Sequence, residues 1–288
     1  MDLFTILFYQ PIFNLLVILY RAFGENLGLS IIAIGLLVRL IMFPLTLRQA
    51  KMMPKNMEAR EKMNEIKELY KDDKEKLNQE MIKLNSESMP FVLQGCLQLI
   101  LQLIVFINVD RVIRTTFGSG ATEFNSLAYS FVPGFAQDYQ FNGNFLGIFD
   151  LSQTPAAVSN MGATAIIYIA VVVLTGIVQY FSMKLAFGAQ TQMTDTIAAH
   201  KKEKEANKKG KKKDSETKEG QNEDMSKIMA QTTKQTMILL PILLTLGAYN
   251  FPIGLSFYWI TQGAFAIIQQ LYINKVNLRS VKQMLESK

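Results

Sequence analysis

The chain has one histidine, His200, and one cysteine, Cys96, in 288 residues. A lone histidine in a lysine-rich stretch leaves no His pair for acid–base chemistry and no His metal site. A lone cysteine excludes an internal disulfide; Cys96 lies in an apolar run, where it fits as a small buried hydrophobe. There is no Gly-rich phosphate loop and no pair of carboxylates within the apolar runs. The serines inside those runs, Ser30, Ser182 and Ser256, have no base beside them. Neither catalysis nor a cofactor is expected. The opening Met-Asp-Leu-Phe has no basic region and no small-residue cleavage site, so a removable signal peptide is not expected either. No internal repeat divides the chain into matching halves, which argues against an inverted-repeat transporter.

Basic residues are missing from one long stretch. From Thr115 through Met183 there is no Lys or Arg. Residues 48–88 hold ten, residues 184–234 hold twelve and the tail after Asn274 holds four. By the positive-inside rule the basic segments face the cytoplasm and the segment around 116–160 faces outward. Its only charges are Glu123, Asp138 and Asp150, and it is rich in Gly, Asn, Phe and Tyr.

Long apolar runs are abundant. About twenty apolar residues cross a bilayer as a helix. Residues 28–47, 89–109 and 162–183 qualify, and 235–273 is a 39-residue run without a charge. That last run contains Asn250-Phe251-Pro252, a turn signal, and reads as a hairpin of helices 235–249 and 253–273. The expected fold is an all-α membrane protein with a five-helix transmembrane core, an outer interfacial helix and a cytoplasmic helical hairpin. The expected organisation is an outer interfacial helix over 1–27, a first span over 28–48, a charged helical hairpin over 49–88 and a second span over 89–115. An outer loop over 116–160, a third span over 161–186 and a disordered polybasic loop over 187–233 follow. The paired fourth and fifth spans take 234–274, and a basic tail takes 275–288. The first segment is amphipathic after Pro11; a sixth span is its alternative reading. In the hairpin, Met63, Ile66 and Tyr70 form one apolar stripe and Leu77, Met81 and Leu84 another, with a break at Asp72-Asp73. Nine lysines between Lys201 and Lys218 leave too little apolar surface for that loop to fold alone.

Arg39 sits in the middle of the uncharged run 26–47, with no acid in that run to pair with it. A charge at bilayer depth costs ~2.5–3.5 kcal/mol even on the mildest scale, so such a residue marks an interaction site or a wet cavity. Gln94, Gln98 and Gln102 recur every four residues, one stripe on one helix face. Gln179 lies in the third span, and Ser256, Tyr258, Trp259, Thr261, Gln262, Gln269 and Gln270 in the last. Interhelical hydrogen bonds account for one or two such amides. A hydrated groove accounts for the stripe and the arginine together. The candidate groove residues are Arg39, Gln98, Gln102, Gln179, Tyr258, Trp259 and Gln262.

The stretch QPIFNLLVILYRAFGENLGLSIIAIGLLVRLIMFPLTLRQAKMM carries an arginine shortly before Pro-Leu-Thr. YKDDKEKLNQEMIKLN, GCLQLILQLIVF, DLS and FPIGLSFYWITQGAFAIIQQ follow in order. Together they resemble the YidC-type membrane protein insertases, with their Oxa and Alb relatives, over about residues 10–274. Gln98 and Ile104 stand where the family carries prolines, Phe91-Val92 where it carries Asn-Pro, and Gly35 where a polar residue often sits. The resemblance implies that Arg39 is the groove arginine, that Gln102 lines the same groove and that Tyr258 and Trp259 face the path of an entering segment. Five spans with the Lys/Arg counts above place the C-terminus in the cytoplasm, and the lack of a transit-peptide pattern favours a bacterial plasma membrane over an organelle. The implied partners are nascent membrane-protein clients, the ribosome and membrane lipids, with a Sec-type channel as a further candidate and no DNA. The rival readings are a small anion transporter or channel with Arg39 as its anion site, and a purely structural assembly subunit.

Overall fold

The computed structural model describes residues 3–70, 73–118, 120–209, 235 and 238–286. Side chains of 53–61, 63–65, 68, 84–99, 189–209 and 277–286 lie outside that description. So do the side chains of Cys96, Gln94 and Gln98, those of Met63 and Leu84 from the stripes expected in the hairpin, and the loop residues 210–234.

The elements are nearly all helical. Thr5–Tyr9 is wound as a π-helix and runs into α1, Gln10–Ala22. Pro11 accounts for the wider turn, because it has no N–H to give and its ring crowds the preceding carbonyls. Helix α2 spans Leu27–Leu69, α3 Lys74–Gly118 and α4 Gly120–Leu127. Strands β1, Asn144–Phe145, and β2, Phe149–Asp150, pair antiparallel. Then come α5, Ala163–Lys209, α6, Ile238–Asn250, and α7, Ile253–Glu286. Among the described residues, Thr5–Ala22, Leu27–Met52 and Ala163–Gly188 are long and apolar enough to cross a membrane, and α6 is apolar but shorter.

Several helix boundaries follow from local chemistry. Between α1 and α2, Gly24 and Glu25 both have positive φ, +62° and +63°, and Asn26 Oδ1 caps α2 by accepting from the Leu29 N–H at 3.0 Å. Asp73 caps α3 in the same way, through the Lys76 N–H at 3.1 Å. The break between α6 and α7 falls at Phe251-Pro252, where the turn signal places it. Elsewhere the helices outrun the expected boundaries. No break separates span from arm at 48/49 or at 88/89, and α7 runs through the basic tail to Glu286. Helix α5 continues to Lys209, so residues 187–209 of the loop expected over 187–233 are helical. Lys, Glu and Ala are strong helix formers, and a span already nucleated can be extended without burying anything.

The chain divides into two compact units. The first comprises Met1–Met42, Gln98–Ser182 and Leu239–Ile267. Its region between α3 and α5 is not an open loop but a packed cap. Phe124, Phe135, Tyr139 and Phe141 meet ring to ring, with Tyr20 and Phe13 of α1 against them. The Asn125 amide holds both backbone polar groups of Phe135, accepting from its N–H at 2.9 Å and donating to its carbonyl at 2.7 Å. Helix α1 is tied to this cap along its whole length. The Tyr9 hydroxyl donates to Thr115, Gln10 and Asn14 donate to the Leu127 carbonyl, and Arg21 donates to the Pro133 and Gly134 carbonyls. The remainder of the cap rests on the first turns of three long helices. Phe145 packs against Gly28 of α2 and Phe257 of α7, and Phe149 against Tyr168 of α5. The second unit comprises Phe43–Leu97, Met183–Ile238 and Ile268–Lys288. Within it the rings of Phe43 and Tyr272 lie 6.0 Å apart, and Ile273 and Gln269 are buried.

Candidate functional site

Arg39 projects from α2 in the first unit. Its side chain is partly covered, and its Nε is buried with no hydrogen-bond partner. Two turns of α7 stand opposite. Gly35, one turn before Arg39, faces them. A Cβ at that position would lie 3.4 Å from Tyr258 Cδ2 and 3.4 Å from Thr261 Cγ2, so larger side chains would push the helices apart. Gln262 Nε2 donates to the Gly35 carbonyl at 2.9 Å. That carbonyl is also the α-helical acceptor for the Arg39 N–H, so Gln262 fastens the turn that carries the arginine.

The polar groups here are not paired off. The Tyr258 hydroxyl lies against the amides of Gln102 and Gln262 and within charge range of Arg39, yet no well-aligned hydrogen bond reaches it. Gln262 Oε1 is buried without a partner as well. Each such group, left dry, costs about 1–3 kcal/mol. A cluster holding an arginine donor, a phenol and an amide oxygen is arranged to take water or a polar guest.

Arg39, Gln102, Tyr258 and Gln262 are thus brought together. Gln98 precedes Gln102 by one turn of α3, its side chain outside the description. Gln179 on α5 reaches the Trp259 carbonyl at 3.3 Å and lies beside Gly263. Trp259 belongs to a different group. Its ring stacks on Phe106 at 5.4 Å and 5° and meets Phe251 edge-on at 6.0 Å. Arg114, held by Asp110, stands 5.8 Å over Phe251. Sequence reasoning did not single out Gly35 and Thr261 as the contact that sets the helix spacing. The available signal was the small residue one turn from Arg39.

Residues 18–280 match the family described as 60Kd inner membrane protein. The chain belongs to that family. Relatives named membrane protein insertase YidC include those of Rickettsia massiliae, Citrifermentans bemidjiense and Helicobacter pylori. The first is 26% identical over 269 residues, 93% of this chain and 39% of that protein. The second is 27% identical over 266 residues, 92% of this chain and 36% of the relative. The third is 29% identical over 277 residues, 96% of this chain and 38% of the relative. The chain therefore spans about two fifths of the length of these curated relatives. The name these relatives carry is that of the family its motifs resemble.

Proposed function

We propose that the chain inserts nascent membrane proteins through a hydrophilic groove that contains Arg39 and opens to the cytoplasm and to lipid. The observation that carries this reading is the unpartnered Arg39 Nε beside an unpartnered phenol and amide oxygen, inside a helix of span length. An unpaired arginine in an apolar helix is stable only where water or a partner reaches it. The groove shortens the dry distance that a polar flank of a client must cross. Arg39 attracts acidic residues of that flank, and reduced screening around it strengthens the attraction. The client's apolar helix then leaves sideways, driven by burial at ~25 cal/mol per Å². The stacked Phe106, Trp259 and Phe251 close the groove outward. The hydrogen bonds from α1 to the carbonyls of Leu127, Pro133 and Gly134 support an interfacial helix on the outer side as its place in this reading.

The test is reconstitution in liposomes with a short single-span client bearing an acidic N-tail. Protease protection of the client is expected with the parent protein and absent with Arg39→Ala, while Arg39→Lys keeps part of it, because attraction needs charge more than fork geometry. Full activity of the Ala variant would remove the electrostatic role. Anion flux through the same vesicles would favour the transporter reading.

A further inference from the structure

We propose that the tip of the β1–β2 hairpin is a membrane anchor that inserts Leu146 and Ile148 into the outer leaflet. The turn is a primed one. Leu146 and Gly147 have φ of +55° and +70°, and the Ile148 N–H bonds the Phe145 carbonyl at 3.2 Å. Such turns take Asn, Asp or Gly at the first position, because a larger side chain is strained there. Here a leucine occupies it, 67% exposed, with Ile148 beside it 54% exposed. A hairpin tip in water has no use for either choice.

The body of the hairpin says what covers the tip. Phe145 packs onto Gly28, the second residue of α2, and onto Phe257, the fifth of α7. Phe149 packs onto Tyr168, near the start of α5, whose hydroxyl accepts from the Asp150 N–H at 2.8 Å. The hairpin is therefore fixed at the level where α2 and α5, both of membrane-spanning length, begin. On α5 the exposed stripe Ile166, Ile169, Val173 and Ile177 starts at that level, since Ile166 lies only about 3 Å along the axis from Tyr168. A protruding apolar pair at the rim of a lipid-facing stripe meets acyl chains, not a partner's pocket. Aliphatic side chains at this boundary act as interfacial anchors.

The experiment places a nitroxide label at Ile148→Cys in a Cys96→Ser background, in the full chain reconstituted in liposomes. Power saturation compares collisions with oxygen, which partitions into lipid, and with a water-soluble nickel chelate. Val173→Cys serves as the lipid control and Asp138→Cys as the aqueous one. The oxygen-to-chelate ratio at 148 is expected to shift to the side of Val173. A ratio equal to that at Asp138 would overturn the proposal. So would a label shielded from both agents, with spin–spin broadening that grows with protein-to-lipid ratio, since that means a second copy covers the tip. A Leu146→Asn, Ile148→Asn double variant keeps the turn chemistry. Loss of the anchor should raise chelate access at a label on the neighbouring Asn144→Cys, and unchanged access would count against insertion. None of these readouts depends on insertase activity.

Discussion

Arg21 makes three attachments at once. It donates to the Pro133 and Gly134 carbonyls at 2.8 Å each, and its guanidinium sits 4.4 Å over the Phe135 ring. Hydrogen bonds to a charged group contribute about 1.5–3 kcal/mol, and exposure puts this pair toward the lower end. Arg21→Ala should leave the helices intact and speed amide exchange over residues 129–142; exchange at the parent rate there would mean that the aromatic cluster holds the cap unaided. Tyr139 gives a pH-dependent prediction. Burial first, then hydrogen bonding with Tyr20 and Glu25, pushes its phenol above the ordinary 10.0. The folded cap keeps a proton that the unfolded chain releases near pH 10, so its stability should fall as pH rises through and beyond that value. Alkaline titration monitored by cap exchange should show this fall, and Tyr139→Phe should flatten it. Tyr258 and Trp259 show what reading by residue missed. Neighbours on a helix point about 100° apart, so one faces Arg39 and the other stacks on Phe106.

At the scale of elements, the sequence announced breaks better than continuities. Asp73 and Phe251-Pro252 were visible as turns because caps and prolines act locally. The extension of α2 and α3 through charged arms to Leu69 and from Lys74 was not, because a hydropathy reading ends a span where charge begins. Helices need no apolar surface to continue, only propensity and a formed turn to grow from. Such arms are held by weak surface pairs, of which Lys76–Asp73 and Lys83–Glu80 are examples at 3.3 and 2.6 Å. Pairs so exposed contribute little to stability, because water screens them and ordering two long side chains costs entropy. Amides in 49–70 and 74–88 should therefore exchange much faster than those in 28–42 and 163–182. Deleting the arms should impair insertion without unfolding the spans. Protection equal to the spans would show that the arms are packed. The aromatic cap was hidden for the opposite reason. Its order comes from contacts over a hundred residues apart, such as Tyr9 to Thr115 and Asn14 to Leu127. No period in the sequence reports those.

Across the whole molecule, charge is distributed more unevenly than the net +6 conveys, with the lysines gathered in 48–88, 184–234 and the tail. On the side proposed as cytoplasmic, they face ribosomes and anionic head groups. Binding through them should be electrostatic and fall steeply between low and physiological salt. Co-sedimentation with ribosomes and with anionic liposomes, for the parent and a Lys→Gln variant of 201–218, checks this. Equal binding by both proteins at every salt concentration would leave those lysines as a topology signal alone. The helical, membrane-spanning character of the chain and the neighbourhood of Arg39, Gln102 and Gln262 were legible because a misplaced charge or amide stands out against an apolar background. The pairing of Gln262 with the Gly35 carbonyl was not, since glycine carries no side chain to mark the contact.

Trp259 is the chain's one tryptophan, 7% exposed and stacked on Phe106. Intrinsic emission excited at the red edge of the aromatic band therefore comes from a single, known place. In the resting protein that emission should be blue-shifted and shielded from aqueous quenchers. If the ring stack parts when a client passes, the spectrum will move to the red during turnover and return afterwards. The chain thus carries its own unlabelled optical gauge of whether the stack of Phe106, Trp259 and Phe251 has parted.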